Sequence, residues 1–410
     1  MAWIEKYANF DLTTGLDDGS SEANAWQSFA SLAAGFAAGN GLGWRLNIKR
    51  TAVPYYTASG GVKTDSFANV GTKDKPSMVE GYAVTPQDGG YFEMESDWNI
   101  HTLNAGGNYS IVKNIKYTAV GSNVGVIHCG SNVSDNALAI NVIAKCRGGP
   151  PDFQNTINCY IEQSSPSSYI TIGGVNQASS VCHNTIFRRV GTPTSTRLVD
   201  VDSYAKSQTF NNCVFIGGGA GSGNESLLNF RRMYWSRFTS VNNCVFYNGY
   251  NGIAFDDYNS ANNNYLHFFA NNLFCEMANY GGEFLAPSTA VACTNFTRNA
   301  YYNCTAGLTN LAEEFNHGDN IALSADPFED ISNIDYRINN VAGGGAILRA
   351  TSEYQIPDDL TSTQIYPFGW LVDPTESGGG GGGGAGGGGG GGGGSGGGHH
   401  GGGGQHIYFG

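Results

Sequence analysis

The chain is 410 residues long with a net charge of −13, and only 13% of its residues are charged while 40% are hydrophobic and 12% aromatic. That length and apolar content allow one large domain or roughly two to three small ones, and the acidic balance disfavours nucleic-acid binding through a basic patch. No run of about 18 apolar residues occurs, so no membrane-inserted helix is expected.

Met1-Ala2-Trp3-Ile4-Glu5-Lys6 lacks the basic start and apolar stretch of a secretory signal. The expected product stays in the cytoplasm, is released by lysis or uses another export route. Leu16–Ser21 reads as a turn or loop, and Asn24-Ala25-Trp26-Gln27 resembles a capping box. Trp26, Phe29, Leu32, Ala33 and Phe36 recur at three- and four-residue spacing, which predicts one short helix over residues 25–38. Gly39-Asn40-Gly41 stops it, and Trp44–Lys49 alternates as a first strand. Residues 1–40 therefore form an N-terminal cap whose helix covers an open sheet edge.

One motif then recurs. It reads Gln154-Asn155-Thr156-Ile157, His183-Asn184-Thr185-Ile186-Phe187, Asn211-Asn212-Cys213-Val214-Phe215, Asn242-Asn243-Cys244-Val245-Phe246, Asn271-Asn272-Leu273-Phe274 and Arg298-Asn299-Ala300-Tyr301-Tyr302. Fainter copies are Lys113-Asn114-Ile115 and Ile140-Asn141-Val142. A loose period of about 27 to 31 residues, with short Val-, Ile- and Phe-rich runs between polar turns, is a solenoid signature. Asn tolerates left-handed turns, and stacked Asn side chains can hydrogen-bond along a solenoid axis. The expectation is an all-β fold, a parallel β-helix over residues 41–340 with about eight to ten coils. Val214, Phe215, Val245 and Phe246 then belong to equivalent strands of successive coils. The nine cysteines include no C-x-x-C pair, their odd number argues against a complete disulfide framework, and most are expected as free, buried thiols with Cys213 above Cys244.

Residues 310–376 depart from the repeat. Leu311–Phe315 reads as a helical turn, and Asp326-Pro327-Phe328 and Asp335–Ile338 resemble the last coils of a solenoid. Residues 341–376 form a C-terminal cap, with 355–370 an irregular stretch broken by Pro357 and Pro367. From Ser377 to Gly404 only Ser377, Ala385, Ser395, His399 and His400 are not Gly, and Gln405–Gly410 follows as a short aromatic end. This tail, 377–410, is a flexible spacer, an extended helix bundled with copies of itself, or a cloning artefact. If it is ordered, its backbone donors and acceptors need neighbouring copies, with His399, His400, Ile407, Tyr408 and Phe409 as the assembly residues. His399, His400 and His406 without a fixed scaffold do not make a metal site, and no metal is expected.

The order of Asp17-Asp18-Gly19, an Ala-rich amphipathic helix, Gly39-Asn40-Gly41 and a first strand resembles the start of the pectate-lyase-like β-helix superfamily, to which phage tailspikes and many polysaccharide lyases belong. Leu16–Ile48, above all Glu22-Ala23-Asn24-Ala25-Trp26, is also similar to tailed-phage virion proteins. The resemblance covers residues 1–50 and, through the repeat, 110–305. It implies a right-handed β-helix. With it goes an expected structural role as spike, fibre or capsid decoration on the virion surface, as a homotrimer that touches other virion proteins and a host glycan. No cofactor, nucleic acid or membrane insertion is expected. Two alternatives stand beside this reading: a tailspike-type polysaccharide depolymerase, and a subunit of an extracellular filament or surface layer linked through the tail.

The carboxylates argue against chemistry. Asp256-Asp257, with Arg231, Arg232 and Arg237 about one coil earlier, is the best acidic cluster. Paired carboxylates can share a proton or hold Ca²⁺, but adjacent strand residues face opposite sides. The pair reads as a turn or a glycan contact rather than a catalytic dyad. The polygalacturonase set is absent, since Asn155-Thr156 is followed by Ile157 instead of Asp. His128, His183 and His267, and the loop Asn316-His317-Gly318-Asp319, read as structural. Tyr234, Trp235, Tyr247, Tyr250 and Tyr258, with Asp256 and Asp257, are the candidate glycan- or partner-contact residues, because aromatic faces beside Asn and Asp hold sugars and partner surfaces. Tyr265, Phe268, Phe269, Tyr280, Tyr301 and Tyr302 extend the aromatic cluster.

Overall fold

The computed structural model describes residues 2–39, 42–57, 71–96, 100–104, 109–119, 125–129, 136–173, 179–194, 197–201, 207–219, 225–231, 238–256, 266–284, 294–309, 319–330 and 335–350. Three parallel sheets dominate. Sheet A has eleven strands, from Ile4–Ala8 to Thr294–Thr297; sheet B has eleven, from Tyr55–Thr57 to Ile321–Ala322; sheet C has nine, from Ile100–Asn104 to Gly307–Thr309. The chain visits A, B and C in turn and returns to A one strand further on, which is a parallel β-helix. Val214 pairs with Val245 and Phe215 with Phe246, as the repeat requires.

The A-to-B corner explains the asparagines. Asn114, Asn141, Asn158, Asn184, Asn212, Asn243 and Asn271 all have φ between 49° and 57°, and Arg298 stands at 53° in the same place. Asn is the side-chain-bearing residue that enters this left-handed region most readily. Some corner amides bond coil to coil: Asn141 Nδ2 donates to Asn114 Oδ1 (3.1 Å) and Asn184 Nδ2 to Asn158 Oδ1 (3.1 Å). The sequence alignment of the repeat needs correcting at three coils. Asn155 lies inside a strand and the corner is Asn158, while Asn272 and Asn299 follow the corner by one residue. The motif alone could not separate corner from neighbour where two polar residues adjoin.

The position after the corner points inward and is occupied by Cys159, Thr185, Cys213, Cys244, Asn272, Asn299 and Asn320 in successive coils. Asn272 accepts from Cys244 N (3.0 Å) and donates to Val241 O (2.8 Å); Asn299 repeats this with Asn272 N (3.0 Å) and Phe269 O (3.0 Å), and Asn320 with Asn299 N (2.8 Å) and Phe296 O (3.0 Å). Each amide thus supplies the coil-to-coil bonds that the strand ladder loses at the bend. In the earlier coils sulfur partly replaces it: Cys213 N donates to Cys244 Sγ (3.4 Å). The eight described cysteines are all free and seven are buried, as expected.

Inside sheet B the aromatic rings stack. Centroids of Phe187 and Phe215 are 5.1 Å apart, Phe215 and Phe246 4.7 Å, and Phe246 and Phe274 4.8 Å, so the ring spacing matches the strand spacing. Removing one such ring costs about 3–5 kcal/mol.

Two features at the ends depart from expectation. Ile4–Ala8 pairs with Trp44–Lys49, so the strand ahead of the helix, not the one after it, opens sheet A. The helix, α1 (Phe29–Gly39), also starts later than 25. Trp26 N donates to Tyr7 O (2.9 Å) and Asn9 N to Trp26 O (2.9 Å), which holds Trp26 extended against the edge of sheet A. Ser28 then caps α1, its Oγ accepting Ser31 N (3.1 Å). A Cβ on Gly35 would lie 2.2 Å from the Trp26 ring, so glycine lets α1 rest on that indole.

At the other end, Phe328–Asp330 and Asp335–Ile338 do not add coils. They form an antiparallel pair outside the three sheets, followed by α2 (Gly345–Ala350). Phe328, Ile338 and Leu348 pack with Ile186, Val214, Val245 and Leu273 on the outer face of sheet B. In these coils sheet B is apolar on both faces, as buried parallel strands are, and its outer face needs a cover.

Candidate contact surface

The fold separates the candidate residues. Tyr247 ends the strand Val245–Tyr247, in register with Ile216 and Cys275 on the outer face of sheet B. It is half-buried against the cluster that the C-terminal hairpin covers. Its phenol is pushed above the ordinary range by burial and then by the charges of Glu276 and Asp326 and by Cys275. Tyr247 is thus part of an internal seam. Tyr250 lies in the B-to-C turn, half-buried, with its N–H on Glu225 O (2.9 Å) and its carbonyl accepting Asn279 N (2.9 Å). Asp256 ends the strand Asn251–Asp256, the length of that strand away from Tyr250, and its Cα partner is Arg231. Tyr234, Trp235, Asp257 and Tyr258 lie outside the described residues, as do His399, His400, Ile407, Tyr408, Phe409, the remainder of the tail, residues 311–318 and residues 355–370.

Residues 232–237 connect sheet C to sheet A between Ser226–Arg231 and Phe238–Asn242; residues 257–265 do the same between Asn251–Asp256 and Leu266–Ala270. Both flanking strand pairs are adjacent, with Arg231 opposite Asp256 and Phe238 opposite Leu266. The two segments therefore join equivalent strand ends in neighbouring coils. Where they enter sheet A, two rings face outward: Phe238 is 36% exposed and Phe268 37%, with centroids 5.8 Å apart. Phe269 points into the core instead, at 0%. Alternation along one strand decides which aromatic is presented.

Titratable groups near the sheets are largely committed to structure. Arg189 and Glu225 form a fully buried ion pair (Nε–Oε1 2.6 Å). Arg189 also donates to Ser168 O (2.7 Å) and Arg197 O (2.9 Å), and Gly218 N reaches Glu225 Oε2 (3.4 Å). Burial raises the Glu225 carboxyl and Arg189 opposes this. Such a pair fastens loops of several coils at a high desolvation cost. Its one weak sign in the sequence is the Arg188-Arg189 doublet that ends the strand Ile186–Arg189. His267 is buried against Phe255 and Phe269, and burial pushes its imidazole down to about 4. Asp88 is pushed up by burial, but the backbone N–H groups of Val84, Ala83, Gly90 and Thr85 outweigh this and hold it at about 2. His183 is half-buried and its imidazole is lowered, chiefly by burial.

Two clefts lie near the N-terminal end. One, about 540 Å³, is lined by Lys6, Asp17, Trp26, Ser31 and Trp44. Lys6 Nζ sits over the Trp44 ring (5.2 Å) and Asp17 holds Ser31 Oγ (2.6 Å) and Gln27 N (2.7 Å), so its charges are already engaged. The other, about 390 Å³, holds Arg50 3.7 Å from Glu93. Among the described residues no three His, Cys, Asp or Glu side chains converge as metal ligands, and no helix is long and apolar enough to cross a membrane.

No protein-family model, no curated protein and no solved structure matches the chain. The parallel β-helix therefore rests on the strand pairing alone.

Sequence reasoning also missed a polar column inside sheet A. Gln154, Ser180, Gln208, Thr239 and His267 each stand four residues before a left-handed corner, and all are at most 2% exposed. The constant offset was a readable signal once the corners were aligned. A buried polar atom left without a partner costs about 1–3 kcal/mol.

Proposed function

We propose that the protein is a non-enzymatic surface protein of a tailed-phage virion, a spike, fibre or capsid decoration. It contacts a host glycan or a neighbouring virion protein through the sheet A face around Phe238 and Phe268. The observation that carries this reading is the outward pair Phe238 and Phe268, placed where the two connections bearing Tyr234-Trp235 and Asp257-Tyr258 enter sheet A. Exposed rings of this kind give large contact area at small entropic cost. Eleven strands at about 4.8 Å per step give a stiff support some tens of ångströms long for that face. The committed state of Glu225, Asp17 and Asp88 favours contact over catalysis. Trimerisation and tail-mediated assembly belong to the same proposal.

The test is binding of the purified full chain to host cells or capsule, with Phe238→Ala/Phe268→Ala and Tyr234→Ala/Trp235→Ala variants of unchanged circular dichroism. Loss of binding of tenfold or more in both pairs supports the reading. Undiminished binding in both rejects it, and a fall in capsule viscosity on adding the parent protein would replace it with the depolymerase.

A further inference from the structure

The inner face of sheet A carries a column of neutral polar side chains. Ser180, Gln208, Thr239 and His267 are direct register partners on adjacent strands, and Gln154 precedes them one strand earlier. Ser180 is 1% exposed, Gln154 2%, and Gln208 and Thr239 0%. Gln154 Oε1 accepts Ala137 N (2.7 Å). Gln154 Nε2, Ser180 Oγ, both polar atoms of the Gln208 amide and Thr239 Oγ1 are buried without a hydrogen-bond partner among protein atoms. Five such atoms in one line would remove a large share of the stability of a whole domain. The same strands two residues further on carry Cys182, Phe210, Val241 and Phe269, which close the core with apolar groups and offer no partner.

We propose that this column holds a file of buried water molecules, interleaved with Gln154, Ser180, Gln208 and Thr239. Parallel strands step by about 4.8 Å. Two hydrogen bonds of about 2.8 Å meeting at a tetrahedral water oxygen span about 4.6 Å. One water per step therefore bridges successive polar side chains where a direct hydroxyl contact at strand spacing falls short. The ligand must both donate and accept, because the amide presents a donor and an acceptor and the hydroxyls present either. No charged side chain belongs to this part of the column, so a neutral molecule fits and an ion does not. Buried waters typically make about three hydrogen bonds to such groups, and the three gaps from Gln154 to Thr239 accommodate about three waters. The file is a site of the solenoid interior and is independent of the outward contact surface.

The experiment is a crystal structure of the full chain at about 1.5 Å, joined to oxygen-17 relaxation dispersion in solution, which counts waters residing longer than rotational tumbling. The expected result is solvent density within hydrogen-bonding reach of the Gln208 amide on both sides, and about three long-lived waters that fall by about two in Gln208→Leu. Direct bonds from Gln208 to Ser180 and Thr239 with no solvent between them would overturn the proposal. Should Gln208→Leu fail to fold, Thr239→Val, which keeps the shape, decides. Loss of one long-lived water with a lower Tm supports the file. An unchanged water count with a higher Tm overturns it, because a hydroxyl without a partner is better replaced by a methyl group.

Discussion

Asn299→Ala tests the idea that amides after the corner carry the coil-to-coil bonding of the last coils. Asn299 is fully buried. Its Nδ2 donates to Phe269 O, and its Oδ1 accepts both Asn272 N and Asn272 Nδ2, each at 3.0 Å. Alanine leaves Phe269 O and Asn272 N buried without partners, at about 1–3 kcal/mol each, and opens a small void besides. The expected loss is about 3–5 kcal/mol. Asn299→Cys should recover part of it, because Cys244 fills the equivalent place one coil before Asn272 and its sulfur accepts Cys213 N. Asn303→Ala is the control: Asn303 is an exposed left-handed turn residue bonded to Glu276 (2.6 Å), and its loss should cost under about 1 kcal/mol. Urea unfolding followed by circular dichroism gives the free energies, and amide exchange at Asn272 locates the damage, since solenoid coils depend mainly on their neighbours. A loss below about 1 kcal/mol for Asn299→Ala, with Asn272 still protected, would show that these amides do not carry the coil-to-coil bonding.

His267 makes stability depend on pH. Its imidazole is lowered from 6.5 to about 4 by burial, so the unfolded chain binds the proton first and stability falls as pH drops from about 6.5 to about 4. The full effect is about 3 kcal/mol, and His267→Gln should remove that part of the pH slope in urea titrations; an unchanged slope would count against a buried neutral imidazole. At the corner, Asn212 has φ 54°, so Asn212→Gly should be nearly neutral while Asn212→Val loses about 1–3 kcal/mol in the same assay. Thiol titration should find the seven buried cysteines unreactive in the native protein and reactive after unfolding without reductant; burial raises the Cys129, Cys182 and Cys275 thiols well above their ordinary range. Deleting residues 377–410 should impair assembly while leaving the unfolding transition of the solenoid in place, and normal assembly of the truncated chain would reduce the tail to a spacer.

The parallel β-helix was legible from the repeat alone. The Asn-Asn-Cys-Val-Phe repeats at 211–215 and 242–246 record two local requirements: a left-handed corner that Asn meets most easily, and an inward ring that stacks on its copy one coil later. Both act at every coil, so both leave a periodic trace. The free, buried cysteines were legible for the same reason. Features without periodicity left no such trace and emerge only from the folded chain. Ile4–Ala8 joins sheet A across the intervening helix because Trp44–Lys49 has an open edge there, and five residues carry no mark of a partner so distant in sequence. Phe328, Ile338 and Leu348 cover sheet B because its outer face is apolar, not because their own sequence asks for a place beside Val214 and Val245. Tyr247 and Phe268 look alike as aromatics in short strands next to the Asn corners, yet one is packed under that cover and the other faces outward. The difference lies in which side of a strand each occupies and in what chain lies across it, and neither is encoded locally.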